Sequence, residues 1–422
     1  MLVEFKISNY RSFWKPQTLT LVAGPVKELQ KTNTFEPPLK GFPRLLRSAV
    51  LYGPNGSGKS NLINGLAFMQ TLVLSSSRES QEGENINRHP FLLNTEGTIL
   101  PGEFEVTFIQ EAVRYQYGFK VMDTRVVHEW LLAYPENRPQ RWFERIYDPQ
   151  KQEEAWYFGT KFAGPKKTWK QATRPNALFL STAVQLNNEQ LKPVYGWFQK
   201  MVVIGHGVEL DRSFTIKHCK NEETRTKVLS FLKKADIDVE GIEVREKELP
   251  LPSGIQKKFL DAPGPVKIFL KQATLIEVFF KHKLKDSGTT IPFPLSIESD
   301  GTQKLFAYAA PWMDTLDTGR VLVIDELDNS FHPHIVRFLL GLFHHSESNP
   351  KNGQLVFSTH DTSILDRDVV RRDQIWLMEK NQEQATHLYS LSDFHPRKNE
   401  AIGKGYLQGR YGALPYIGEV SF

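Results

Sequence analysis

The sequence predicts an α/β fold: a parallel sheet covered by helices, an antiparallel β meander towards the N-terminus, and a helical insertion. Three observations carry this. From Thr274 onward, apolar runs of strand length alternate with helix-like segments, the pattern of βαβ units. Between residues 104 and 158, short segments alternate apolar and polar residues, as half-buried strands do. Ahead of them, the apolar run Ala49-Val50-Leu51-Tyr52 passes through a glycine-rich turn into a helix-like run at 61–68.

Taken in order, Val3, Phe5 and Ile7 alternate with polar residues and open the chain as a strand, followed by a turn at Asn9-Tyr10-Arg11-Ser12-Phe13. Residues 75–90 are polar and read as a surface loop. Meander strands are expected at 104–108, 115–119, 126–131, 141–146 and 156–158. From about Asn187 the pattern becomes helical, with Asn221 as an N-cap and Val228, Leu229, Leu232 and Ala235 on one stripe. Residues 249–265 hold four prolines and read as a loop. Val321-Leu322-Val323-Ile324 is a buried strand, 334–343 a helix ending at an exposed His344-His345, and 354–358 and 374–378 further strands. This divides the chain into a first lobe at 1–189 with the glycine-rich turn and the meander, a helical insertion at 190–272 and a second lobe at 273–422.

Composition narrows the class. The 422 residues are 40% hydrophobic and 24% charged, which fits a soluble protein with a substantial core. A single cysteine, Cys219, excludes an internal disulfide framework and suits a reducing cytoplasm. No run of 18 apolar residues occurs and the N-terminus has no signal-peptide pattern, so neither a membrane span nor export is expected. A net charge of +5 permits nucleic-acid contact without requiring it. Six Lys/Arg against two Asp/Glu at 217–234 form a basic stretch, for which a solvated helix face is the ordinary reading.

The chemistry concentrates in a few places. Gly53-Pro54-Asn55-Gly56-Ser57-Gly58-Lys59-Ser60 fits G-x-x-x-x-G-K-[ST], the phosphate-binding loop, in the strand–turn–helix context the motif requires. Backbone N–H groups of Asn55, Gly56, Ser57 and Gly58 can curl around phosphate oxygens at a helix N-terminus. Lys59 reaches the β- and γ-phosphates, and the Ser60 hydroxyl suits magnesium. The strand at 321–324 ends in Asp325 and Glu326: the first carboxylate suits the metal, the second can polarise attacking water. Asp325 lies 266 residues beyond Lys59, so a large insertion separates the halves of the site. Ser299-Asp300-Gly301 precedes a helix start, either as a second anion site or as a plain N-cap. His360, in Ser358-Thr359-His360-Asp361 after a strand, can bond a γ-phosphate or position water.

The order of phosphate loop, Ser-x-Gly, Asp-Glu and His resembles P-loop ATPase heads of the ABC class, more closely their SMC-like and OLD-like branch. It is closer still to a family of bacterial AAA-type ATP-binding proteins. The stretches that carry this resemblance are Asn9-Tyr10-Arg11-Ser12-Phe13, Ala177-Leu178-Phe179-Leu180-Ser181, Glu298-Ser299-Asp300-Gly301-Thr302, Asp325-Glu326-Leu327-Asp328-Asn329-Ser330-Phe331-His332-Pro333, Thr359-His360-Asp361 and the segment 406–415. They span nearly the whole chain, with the weakest cover at 190–270. The resemblance implies ATP held by Lys59 and Ser60, magnesium on Ser60 and Asp325, Glu326 as catalytic base and His360 as switch histidine. It also implies that Ser299 and Gly301 cap the γ-phosphate of another copy, that Asp328 lies at the dimer interface, and that Arg11 approaches the nucleotide. No glutamine is assigned to the usual glutamine loop; Gln110 and Gln116 are the candidates.

Members of that family resemble components of anti-phage systems, encoded beside an effector such as a TOPRIM-like or RloB-like nuclease. No second acidic metal cluster or His-Asn-His pattern is evident here, so the output is expected on another chain, with nucleic acid or a phage protein as trigger. The alternatives are a DNA repair or recombination ATPase that binds DNA directly, the nucleotide-binding subunit of a transporter, and a nucleotide-locked scaffold with little turnover. The transporter reading is disfavoured by the absence of Leu-Ser-Gly-Gly-Gln and by the length of the insertion.

Overall fold

Ser48–Tyr52 is apolar after its first residue and buried along its whole length. Such a strand needs a partner on each edge and helices on its faces. In the computed structural model, which describes residues 1–79, 81–205, 212–250, 272–285, 287–397 and 400–416, Gln354–Ser358 pairs with it in parallel on one side and Ile375–Lys380 on the other. Val321–Ile324 and Val202–Ile204 continue the sheet beyond Gln354–Ser358, and Thr386–Ser390 closes the opposite edge antiparallel. Ser48–Tyr52, expected in one lobe with the meander, is a strand of this parallel sheet. Val202–Ile204, a strand within a stretch expected to be helical, is three residues long and carries too little periodicity to be seen. The register sets the site: Ile324 is level with Phe357, and Ser358 with Leu51. Three parallel strands therefore end along one edge, and the loops that follow them emerge together.

The meander is a seven-stranded antiparallel sheet. From one edge to the other its strands are Glu153–Phe158, Gln140–Asp148, Val126–Tyr134, Val113–Val121, Gly102–Gln110, Leu2–Ser8 and Gln17–Thr20. The helix Lys59–Ser75 buries Leu62, Ile63, Leu66, Met69 and Val73, which join a single apolar cluster with residues of both sheets. At Gly65 the approach is so close that a Cβ would lie 2.3 Å from Ile7 Cδ1. The fully buried pair Glu129–Arg145 (2.9 Å) ties the meander to the next helix, Phe179–Gln185. Glu129 accepts the N–H groups of Phe179 (2.7 Å) and Leu180 (3.0 Å), capping that helix.

His344, expected at an exposed helix end, is buried. It closes the helix Pro333–His344, and its Nε2 lies 3.0 Å from Ser48 Oγ and 3.4 Å from Gln374 Nε2. Burial, with Arg47 and His345 nearby, pulls its pKa down to about 3. The folded chain holds it neutral, whereas the unfolded chain protonates it below about 6.5. The unfolded state then binds the extra proton, so stability falls as pH falls below that value, by about 1.4 kcal/mol per unit. Melting temperature is expected to drop between pH 7 and 5, and His344→Gln to flatten that slope; an unchanged slope in the variant would count against the assignment.

Two compact units divide the chain: Met1–Val208 with Asp314–Phe422, and Glu209–Met313. The second contains the expected helices, Ser213–Cys219 and Glu222–Lys234, with Asn221 accepting the Thr224 N–H at 3.2 Å. It also contains an antiparallel sheet of Gly241–Pro250, Gln272–Lys283 and Thr290–Pro294, so the insertion is mixed rather than purely helical. Of the expected proline-rich loop, Leu249 and Pro250 end the first of these strands, and 251–265 lies outside the described residues. The unit runs to Met313 and so includes Ser299 and Gly301, which the sequence-based division grouped with Asp325.

Candidate nucleotide site

The loop between Ser48–Tyr52 and Lys59–Ser75 is shaped by glycine. Gly58 has φ 112°, and a Cβ there would lie 2.3 Å from Thr386 Oγ1. At Gly53 a Cβ would lie 2.2 Å from the Met378 carbonyl oxygen. Gly58 is also the N-cap of the helix and supplies no side-chain cap, which leaves the first-turn N–H groups facing the loop. Lys59 is buried and its Nζ donates to the carbonyls of Gly53 (2.7 Å) and Pro54 (3.2 Å). Burial lowers its pKa, and the carboxylates of Asp325, Glu326 and Asp328 oppose that shift. Residues 266 positions apart in the chain thus form one electrostatic cluster.

Asp325 follows Val321–Ile324 and is buried. Its Oδ1 accepts from the Ser358 hydroxyl at 2.5 Å, and its N–H donates to the Ile204 carbonyl at 2.9 Å. Its Oδ2 is buried with no partner. Glu326 adopts φ 53°, uncommon for a residue with a side chain, and donates its N–H to Ser358 Oγ at 2.8 Å. Asp328 accepts the His360 N–H on Oδ2 at 3.1 Å. His360 is exposed, and the next residue, Asp361, accepts the Tyr52 hydroxyl on its carbonyl at 2.6 Å. Tyr52 itself immediately precedes Gly53, so the histidine loop is bonded to the strand that feeds the phosphate loop.

The donor set fits magnesium. Asp325 Oδ2 is a buried, partnerless carboxylate oxygen, and a hard cation with oxygen ligands is what such an atom lacks. Ser60, in the first turn of the helix, offers the hydroxyl.

Arg11 lies in the tight turn after Leu2–Ser8, at φ 48°, and its Nη1 is 3.5 Å from Asn61 Oδ1 in the first turn of the helix. Asn61 Nδ2 donates to Ser12 Oγ at 2.8 Å; Thr386 Oγ1 lies 2.8 Å from Ser12 Oγ and donates to the Ser57 carbonyl at 2.7 Å. The N-terminal turn is thereby stitched to the phosphate loop. Beside it opens a cavity of about 540 Å³ lined by Arg11, His89, Leu92, Leu93, Lys380 and Gln384, among others.

Ser299 and Gly301 belong to the second unit. Ser299 Oγ accepts the Thr302 N–H at 3.2 Å, the bond of a helix cap at the start of Asp300–Thr318. Gln116 Oε1 accepts the Tyr134 hydroxyl at 2.9 Å within the meander, and Gln110 ends the strand Gly102–Gln110. Ser12, Asn61, Ser358 and Thr386 have no role expected from sequence. Ser358 opens the Ser358-Thr359-His360-Asp361 stretch and Asn61 directly follows Ser60; Ser12 and Thr386 are linked to the loop only by tertiary contacts.

Fold and site together define a P-loop protein of the AAA/ABC ATPase class, with a mixed α/β core and an N-terminal antiparallel sheet. The chain belongs to the family described as "AAA domain, putative AbiEii toxin, Type IV TA system", which matches residues 48–194 and 233–366, well over half of it. Among solved structures it is similar to the SMC head domain from Thermotoga maritima, at 13% identity and a TM-score of 0.39, over 92% of this chain and 98% of that one. It is also similar to the Smc head domain with an extended coiled coil bound to the C-terminal domain of ScpA, derived from Pyrococcus furiosus. There the identity is 12% and the TM-score 0.34, over 93% of this chain and 97% of that one. No curated protein matches.

Proposed function

We propose that the chain is a magnesium-dependent ATPase subunit whose nucleotide state controls its association with a second copy and with a separately encoded effector. The observation that carries the reading is the meeting of Lys59 with Asp325 and Glu326, the former with a buried partnerless oxygen. Lys59 and the loop N–H groups hold the β- and γ-phosphates. Ser60 and Asp325 hold magnesium, which when bound neutralises phosphate charge and orients the γ-phosphoryl group. Glu326 is the base for water, and His360 the group that senses the γ-phosphate. The cavity beside Arg11 takes the nucleoside end. Ser299 and Gly301 of another copy cap the γ-phosphate, with Asp328 at that interface, so a homodimer or larger homo-oligomer is the active form.

The family description names a toxin–antitoxin system, which accords with a chain that works beside a second component, here a TOPRIM-like or RloB-like nuclease in anti-phage defence. Nucleic acid or a phage protein serves as trigger, in the cytoplasm. No described helix is long and apolar enough to cross a membrane. Steady-state phosphate release with Mg²⁺ tests the catalytic part: turnover above that of Lys59→Ala is expected, and its absence would overturn it. Co-expression with the neighbouring gene product tests the rest; a chain that protects cells alone and co-purifies with nothing contradicts effector control.

A DNA repair or recombination ATPase is the second reading, and the charge pattern favours a different face for it. In the basic stretch at 217–234, Lys220, Lys227 and Lys233 are paired with Glu246, Glu223 and Glu240. Between Glu154 and Glu189, by contrast, there is no Asp or Glu but five cations, Lys161, Lys166, Lys167, Lys170 and Arg174. Three of them border or occupy the helix Lys166–Ala172, near the part-exposed Trp156. If this face binds DNA, a Lys166/Lys167/Lys170→Glu triple variant should lose roughly tenfold or more in affinity at low salt. No retardation of DNA by the unmodified chain at low salt rules the reading out.

A further inference from the structure

Ser358 is fully buried in the strand that lies between the phosphate-loop strand and the carboxylate strand. Three successive residues of the carboxylate turn hang on it. Its hydroxyl donates to Asp325 Oδ1 (2.5 Å), its Oγ accepts the Glu326 N–H (2.8 Å), and its carbonyl accepts the Leu327 N–H (3.0 Å). On its other side it is level with Leu51, and the following Thr359 N–H donates to the Leu51 carbonyl at 3.3 Å.

A serine hydroxyl has one hydrogen and two lone pairs. Here the hydrogen goes to Asp325, and an accepted N–H comes from Glu326. With Oδ1 occupied, the buried and partnerless Oδ2 is the Asp325 oxygen left for a cation. The bond to the Glu326 N–H is made with that residue at φ 53°, so it ties down a backbone turn that residues with side chains seldom adopt. Ser358 is fully buried, so losing its hydroxyl takes a partner from both Asp325 Oδ1 and the Glu326 N–H.

We infer that Ser358 is a positioning residue that sorts the two carboxylates into separate tasks, fixing Asp325 for the metal and the Glu326 turn for water activation. This rests on the ATPase reading above. Groups that orient metal ligands in this way are typically worth a factor of about 10 to 100 in metal affinity or activity.

The test uses the full chain with ATP and Mn²⁺ in place of magnesium, followed by the Mn²⁺ resonance signal. Ser358→Ala is expected to weaken Mn²⁺ binding by about 10- to 100-fold and to lower kcat by a similar factor. Ser358→Thr, which keeps the hydroxyl, should restore both to within about threefold. Metal-free ATP binding and the melting temperature show whether the alanine variant is folded. If it is not, Ser358→Cys, with a weaker donor in the same place, must shift Mn²⁺ affinity in the same direction. Wild-type Mn²⁺ affinity in the alanine or cysteine variant overturns the inference. A wild-type chain that binds Mn²⁺ and ATP without turnover removes the ATPase reading, while the Mn²⁺ arm still decides Ser358. A wild-type chain that binds neither overturns both.

Discussion

Lys59→Ala is expected to weaken ATP binding by at least about 100-fold, or about 2.8 kcal/mol, and to abolish turnover. The reason lies in the cluster around the ammonium. Lys59 is buried, bonded to two loop carbonyls, and faces the carboxylates of Asp325, Glu326 and Asp328. Removing it takes away the cation proposed to meet the β- and γ-phosphates. It also leaves three negative charges beside an incoming polyphosphate, in surroundings where charge is poorly screened. Both effects act in the same direction, so a large loss is predicted. Titration with ATP, followed by calorimetry, measures it; an affinity within threefold of wild type would show that the loop is not the phosphate site.

Glu326→Gln is expected to lower the hydrolysis rate by about 100- to 1000-fold, the usual scale for loss of a general base, while ATP affinity changes by less than about threefold. The substitution is nearly isosteric, and the bond that fixes this turn comes from the Glu326 backbone N–H to Ser358 rather than from the side chain. Local structure should therefore persist and the two readouts should separate. Single-turnover phosphate release beside equilibrium ATP binding checks this. Equal losses in both would assign Glu326 to ground-state binding; unchanged hydrolysis would mean that the base is another residue.

Much of the site was legible because its parts are contiguous in sequence. The phosphate loop, the Asp325-Glu326 pair after an apolar strand, and the Ser358–Asp361 stretch each announce their chemistry locally. Their assembly was not legible in the same way. The register that puts Ile324 level with Phe357, and Ser358 with Leu51, belongs to the sheet and not to any one segment. Ser358 therefore read as the end of a strand, although it links two carboxylate residues. The meander strands were visible from their period of two. Val202–Ile204 was not, because three residues define no period. His344 looked exposed at a helix end; only the neighbouring strand, through Ser48, explains its burial. The three-stranded sheet of the insertion was hidden for a related reason: its first strand, Gly241–Pro250, is rich in charge and resembles a solvated face.

In the proposed function, Lys59, Asp325 and Glu326 form a nucleotide switch completed by a second copy of the chain. The most direct measurement is the solution mass of Glu326→Gln with ATP and Mg²⁺, compared with the same chain without nucleotide. A shift from monomer to dimer, lost again in a Lys59→Ala background, is the predicted result. The same mass with and without ATP, in a variant shown to bind ATP, would contradict it.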